Sequence, residues 1–266
     1  MRELKEKLEE NGYDSFIKTK EYPDRIELYT AVKTYEKKGN LEIKLAGDIH
    51  LAEENYFLSI INELGKQDKI LLEGLIAEEL SLADKLTLSY RFIKSLGKYS
   101  QSLKESLDLS FRPEIVKMFL KENEKLKEIW ELCDLTMKEF IRTKKTSQER
   151  KIYTLAMLTL PIMKKFAKID PAKLKLELIK TVTKDNKFDF GKTISERRNK
   201  NVENRLAGLL NEKKTDYKIG VFYGAGHMQE FERYVTENFG FNIKDEQWFK
   251  AFQVEKSRSL KEIIFS

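Results

Sequence analysis

The chain has little of what builds disulfides, zinc clusters or membrane spans. A single cysteine, Cys133, stands in 266 residues. That excludes an internal disulfide framework and any cysteine-based zinc cluster, and it suits a reducing, cytoplasmic setting. No apolar run approaches the roughly 20 residues that a membrane span needs. The best candidate, "LAMLTLPIM" at 155–163, is broken by Pro161 and followed by lysines. The N-terminal "MRELKEKLEENGYDSF" is charged where a secretion signal needs an apolar core, so secretion is not expected.

An excess of one charge is lacking too. Lys+Arg number 50 against 44 Asp+Glu, a net charge of +6, but the signs alternate closely in stretches such as "KEKLEE" and "KENEKLKE". Such alternation reads as solvated helix faces rather than a nucleic-acid surface. The densest basic stretch, residues 138–192, lacks the interleaved aromatics of a single-strand binding site, so no nucleic-acid partner is expected. The 41% hydrophobic content is ample for a sizeable core, in one large domain or two small ones.

What is present follows an α/β pattern. Residues 26–46 alternate and are rich in β-formers, with "KKGN" as a turn, which predicts a hairpin whose second strand runs into Gly47. Over residues 52–64, Tyr56, Phe57, Ile60, Ile61 and Leu64 recur at helical spacing, and Gly65 stops the pattern. "DKILLEGL" reads as a short buried strand, parallel to the hairpin's second strand. Residues 76–180 read as almost wholly helical, with few breakers apart from Gly97, Pro113, Pro161 and Pro171. After a break, "KDNKFDFGKT", come a helix over 195–210, a third buried strand in "DYKIGVFYGAGH", a helix in "MQEFERYVTENFG" and a last strand near "QWFKAFQVEK". The expected fold is a central mixed, largely parallel sheet flanked by helices. Residues 1–75 and 181–266 would form its core, and 76–180 a large all-helical insertion.

Histidine is nearly as scarce as cysteine, and both histidines close the same Gly-x-x-His frame: Gly47 to His50 in "LAGDIH" and Gly224 to His227 in "YGAGHM". If the three strands are parallel, His50, Glu73 and His227 arrive at one carboxyl edge, where open α/β sheets bind ligands. Gly47 and Gly224 would let backbone approach substrate or fold tightly. Two His and a Glu can hold a catalytic divalent metal, and a helix N-terminus beside each His would keep it neutral. "TISE" matches a capping box with Thr193 as cap and Glu196 reaching back, which places Arg197 and Arg198 in a first turn. Cations oppose the dipole there, so an anionic substrate, an oxyanion or the site carboxylates should favour them.

The Gly-Asp-Ile-His at 47–50, the "ILLEGL" strand with Glu73, "ERRN" at 196–199 and Gly-Ala-Gly-His at 224–227 together resemble the TraB/PrgY/GumN and Tiki superfamily. The match covers residues 41–75 and 193–235, with weaker likeness at "YSQS" and "CDLTMKEF" in the middle. The resemblance implies an α/β core with a helical insertion. Tiki-like members are regarded as metal-dependent peptidases, PrgY-like members as shutting down peptide pheromones, and the erythromycin-esterase and ChaN-like branches are linked to ester hydrolysis and haem binding.

The first expectation is therefore a metal-dependent hydrolase, peptidase-like, acting on a peptide or other small acyl substrate. His50, His227 and Glu73 would hold Mn, Co or Zn directly or through water. Glu196 would be a further ligand or the general base, Arg197 or Arg198 would bind substrate carboxylate or oxyanion, and Asn199 would orient a neighbour or donate to substrate. Asp48 would partner a His from behind. Of the arginines, Arg197 is expected to face the site and Arg198 to face solvent or the insertion. Two alternatives stand beside this: a metal-independent esterase with His50 as base paired with Glu73, and a non-catalytic protein that sequesters a peptide, pheromone or haem-like ligand. A homodimer is left open.

Overall fold

A computed structural model describes residues 16–147, 149–151, 153–155, 170–183, 192–213 and 215–256. Residues 156–163 of the Pro161-broken run and 184–191 of the break lie outside the described residues. Nine described strands are numbered in chain order: β1 Ile17–Glu21, β2 Arg25–Lys37, β3 Leu41–Asp48, β4 Leu51–Ala52, β5 Lys69–Leu72, β6 Ser110–Phe111, β7 Trp130–Leu132, β8 Lys218–Gly224 and β9 Asn242–Glu255. The helices used below are α1 Glu54–Leu64, α2 Leu82–Leu86, α3 Leu88–Leu107, α4 Arg112–Glu122, α5 Met137–Arg142, α6 Pro171–Thr183, α7 Lys192–Glu212 and α8 Ala225–Phe239.

The expected hairpin is β2–β3, antiparallel with Val32 opposite Ala46. Its turn places Gly39 and Asn40 at φ 89° and 57°, the left-handed region that these residue types tolerate best. From β3 the sheet continues β8-β5-β7, all parallel, while β9 pairs antiparallel with the far side of β2. β1 adds to β2 beside β3, a strand that the sequence reading missed. The result is a seven-stranded mixed sheet with a parallel half and an antiparallel half.

Alternation along the parallel strands gives each face its own core. Ile70, Leu72 and Phe222 pack with Phe57, Ile60, Ile61 and Leu64 of α1. Leu71, Val221 and Tyr223 point the other way, onto Val202, Leu206 and Leu209 of α7 and Met228, Phe231 and Val235 of α8. Fully burying each such side chain is worth about 1.5–3 kcal/mol, so the helices are held by these stripes more than by their own propensity. Gly47 serves this packing. A Cβ on it would lie 3.2 Å from the Ala225 backbone and side chain and from Met228, so glycine lets α8 close on β3.

The stretch 76–180 is not all helical. It contributes β6, which pairs with β4, and β7, which extends the central sheet beside β5. The short apolar "IWEL" sits among charged helical repeats, so its strand character emerges only when β5 offers an unpaired edge. Gly97 lies inside α3, and Pro113 and Pro171 stand in the first turns of α4 and α6, where a missing N–H costs nothing.

Candidate active site

The strand order β3-β8-β5 puts Gly224 between the ends that carry Asp48 and Glu73. Asp48 is the register partner of Gly224, and the Glu73 backbone N–H donates to the Phe222 carbonyl two residues before it. A Cβ built on Gly224 would lie 3.5 Å from Glu73 Oε2, 3.8 Å from His227 Cδ2 and 3.9 Å from His50 Cε1. The three residues picked from sequence therefore surround one point at the carboxyl edge. That point is open because residue 224 has no side chain.

Glu73 is buried and its carboxylate is fully engaged. Oε2 accepts from the Gly224 N–H at 2.8 Å and from Arg112 Nη1 at 3.0 Å, and Oε1 accepts from Arg198 Nη2 at 2.6 Å. Arg112 Nη1 also donates to Asp48 Oδ1 at 2.9 Å, and its Nη2 to the Glu73 carbonyl. Arg198 is gripped from behind by Asp134, with Nε to Oδ1 at 2.8 Å and Nη2 to Oδ2 at 2.6 Å, a two-bond fork. Acid and guanidinium thus alternate through Asp48, Arg112, Glu73, Arg198 and Asp134. Burial pushes the Glu73 carboxyl up, but His50, Arg112, Arg198 and His227 outweigh it and hold the group well below its ordinary value. For Asp48 burial wins, over Arg112 and His50, and the carboxyl is raised. Its Oδ2 is buried and has no hydrogen-bond partner among the described residues.

The two imidazoles differ in setting. His50 has half of its side chain exposed at the mouth, with Nδ1 3.7 Å from Asp48 Oδ1 and Nε2 3.8 Å from Glu73 Oε1. Its carbonyl accepts the Arg112 N–H, which ties this loop to α4. No helix starts at His50: β4 intervenes and α1 begins at Glu54. His227 lies within the first turn of α8, which opens at Ala225 with Gly224 as cap. Burial lowers its pKa, so it is held neutral. Its Nδ1 is 2.6 Å from Asn199 Oδ1, and the Asn199 amide donates its Nδ2 to Glu230. Reversing that amide would turn its carbonyl toward the Glu230 carboxylate, so the network assigns the proton to Nδ1 and leaves an acceptor lone pair on Nε2.

The paired arginines are reversed from expectation. Helix α7 begins at Lys192, and the Thr193 N–H donates to Glu149 Oε1 rather than Thr193 acting as cap. Arg197 and Arg198 therefore sit past the first turn, and the dipole argument does not apply to them. Arg198 faces Glu73, whereas Arg197 is exposed and bonds Thr143 Oγ1 at 2.9 Å in the insertion. Glu196 is exposed, about 200° around α7 from Arg198, and cannot share its direction. Asn199 meets His227 through its Oδ1. Gly47 is consumed in helix packing, and only Gly224 of the two glycines borders the crevice.

The sequence reading missed Arg112 and Asp134. Asp134 lies in "CDLTMKEF", the weaker stretch of the family resemblance, so that likeness was the available signal. Arg112, just before Pro113 in the insertion, carried none.

Among the described residues, the group whose ligand atoms lie within 4.8 Å of one another is Asp48, His50 and Glu73, with His227 outside it. A divalent cation does not fit this set as it stands. Arg112 Nη1 already occupies the bridging position between the two carboxylates, and Arg198 closes the other oxygen of Glu73. Comparison with family models, curated proteins and solved structures finds no match. No helix among the described residues is long and apolar enough to cross a membrane.

Proposed function

We propose that the chain is an acyl hydrolase that opens a small ester or amide with imidazole and guanidinium chemistry and without a bound metal. The observation that carries this is the meeting of His50, Glu73 and His227 around the space above Gly224. A water there donates one hydrogen to the Nε2 lone pair of His227, which Asn199 orients, and gives its other proton to His50 as its oxygen attacks the carbonyl carbon. The resulting imidazolium lies beside Glu73 and Asp48. Arg198 Nη1, which makes none of the bonds to Glu73 or Asp134, is the donor left for the oxyanion. As the tetrahedral intermediate collapses, the C–O or C–N bond breaks and the leaving alcohol or amine takes the proton back from His50. The superfamily resemblance supports acyl hydrolysis at these same residues.

A second reading keeps the expected metal, Mn, Co or Zn, because Asp48 Oδ2 is a buried oxygen with no hydrogen-bond partner among the described residues and stands in the Asp48, His50, Glu73 group. It requires Arg112 to leave its bridging position.

The test is hydrolysis of a panel of activated esters and fluorogenic dipeptides by the wild type and His50→Gln. Turnover that falls by about 10²-fold or more in the variant supports the reading. Tight ligand binding without turnover in either protein would replace it with the sequestering function.

A further inference from the structure

Beyond Glu73 and Asp134 the same edge of the sheet continues into a second cavity. Ile76 bridges to Thr136 in parallel, extending the β5–β7 pairing. There a cavity of about 370 Å³ is lined by Glu78, Thr136, Lys138, Glu139, Arg142 and Arg197. Thr136 lines the cavity and bridges Ile76, whose Cα is at most ~10 Å from that of Glu73, which sets the scale of the separation.

Each of the cavity's two acids accepts a backbone N–H. Glu139 closes a capping box with Thr136, accepting its N–H at 2.8 Å, and Glu78 accepts the Lys138 N–H at 2.7 Å. The cations keep unused N–H donors although Lys138 and Arg142 each pair with a carboxylate. Arg142 meets Asp84 through Nε and Nη2 only, at 3.2 and 3.3 Å, which leaves Nη1. Lys138 Nζ has Glu78 at 3.9 Å, beyond hydrogen-bond reach. Arg197 is held by a hydroxyl, Thr143 Oγ1, at 2.9 Å, on a cavity that Glu78 and Glu139 also line. The Thr143 bond fixes one arm of the guanidinium and leaves the fork available.

We infer that this cavity binds an anionic group, a carboxylate or a phosphate ester, carried by the substrate roughly 10 Å from the scissile carbonyl, with Arg197, Arg142 and Lys138 as its donors. The inference rests on the hydrolase reading for the word substrate, but not for the anion site. Arg197 is thereby given a recognition role distinct from that of Arg198, its neighbour in sequence.

The experiment has a binding arm and a turnover arm. Glutarate and inorganic phosphate are titrated calorimetrically into the wild type, Arg197→Gln and Lys138→Gln, with melting temperatures measured alongside. Binding of either anion that weakens about tenfold in Arg197→Gln at unchanged melting temperature supports the site, and the tighter anion identifies the group. Absent binding to the wild type, or equal binding to all three proteins, overturns it. In the turnover arm, two esters differ only in a terminal carboxylate or carboxamide about 10 Å from the carbonyl. A lower KM for the acid in the wild type, lost in Arg197→Gln, supports the site. Anion binding without hydrolysis of either ester sinks the hydrolase reading alone, and hydrolysis with no preference and no anion binding sinks the anion site alone.

Discussion

Asn199 Oδ1 stands 2.6 Å from His227 Nδ1, and this one bond decides which nitrogen of a half-buried imidazole carries the proton. In Asn199→Ala the Nδ1–H loses its acceptor. Nitrogen-15 NMR should show a single Nδ1–H tautomer in the wild type and a mixture in the variant, with about 1–3 kcal/mol of stability lost. An unchanged tautomer would mean that Asn199 does not orient the ring.

Gly224 and Gly47 should respond oppositely to a methyl group. At Gly224, with φ −53° and ψ 135°, alanine is unstrained and would make ordinary contacts at 3.5 Å or more. Gly224→Ala should therefore keep its stability within about 0.5 kcal/mol while losing turnover, because the methyl fills the space above the strand end. Gly47→Ala meets the Ala225 backbone at 3.2 Å and should lose about 1–3 kcal/mol. Chemical denaturation of both variants checks the pair.

Arg198 and Arg197 should differ in kind. Arg198→Lys keeps the charge but breaks the fork onto Asp134, a cost of about 1–3 kcal/mol together with most of the activity. Arg197→Lys should leave stability within about 0.5 kcal/mol of wild type, since that side chain is exposed. Equal losses in urea midpoint would contradict the placement of the two guanidiniums.

Acid should weaken the fold through two groups acting in the same direction. His227 is held below its ordinary 6.5, mainly by burial, so its contribution is complete above that pH and is lost as pH falls through the folded value. Glu73 is held well below its ordinary 4.5, burial being outweighed by His50, Arg112, Arg198 and His227, so its contribution is complete above 4.5 and is lost at lower pH. Urea midpoints against pH should fall less steeply below pH 6.5 in His227→Gln, and less steeply below pH 4.5 in Glu73→Gln. Profiles parallel to wild type would show that neither group is linked to folding.

The parts legible in sequence were those set by local pattern. Tyr56, Phe57, Ile60, Ile61 and Leu64 are all buried in α1, as their spacing requires, and β3, β5 and β8 end together because each apolar run stops at a glycine or a charged residue. The parts not legible depend on distant chain. Glu149 accepts the Thr193 N–H from 44 positions away, so Thr193 is not the cap, and the packing of Val202, Leu206 and Leu209 on the sheet sets the phase that turns Arg198 rather than Arg197 inward. Arg112 reaches Glu73, and Asp134 reaches Arg198, only because α4 and β7 dock against the core, a long-range event that no spacing encodes.

The central claim is that two guanidiniums do at Glu73 what a cation would otherwise do. Protein purified without a histidine tag should be stripped with a chelator, its metal content measured, and ester and dipeptide hydrolysis followed before and after adding manganese, cobalt or zinc. Unchanged turnover in the stripped wild type, abolished in Arg112→Met and in Glu73→Gln, is the predicted result. Turnover that vanishes on stripping and returns with one equivalent of a divalent ion would contradict it and place a metal where Arg112 now bridges Asp48 and Glu73.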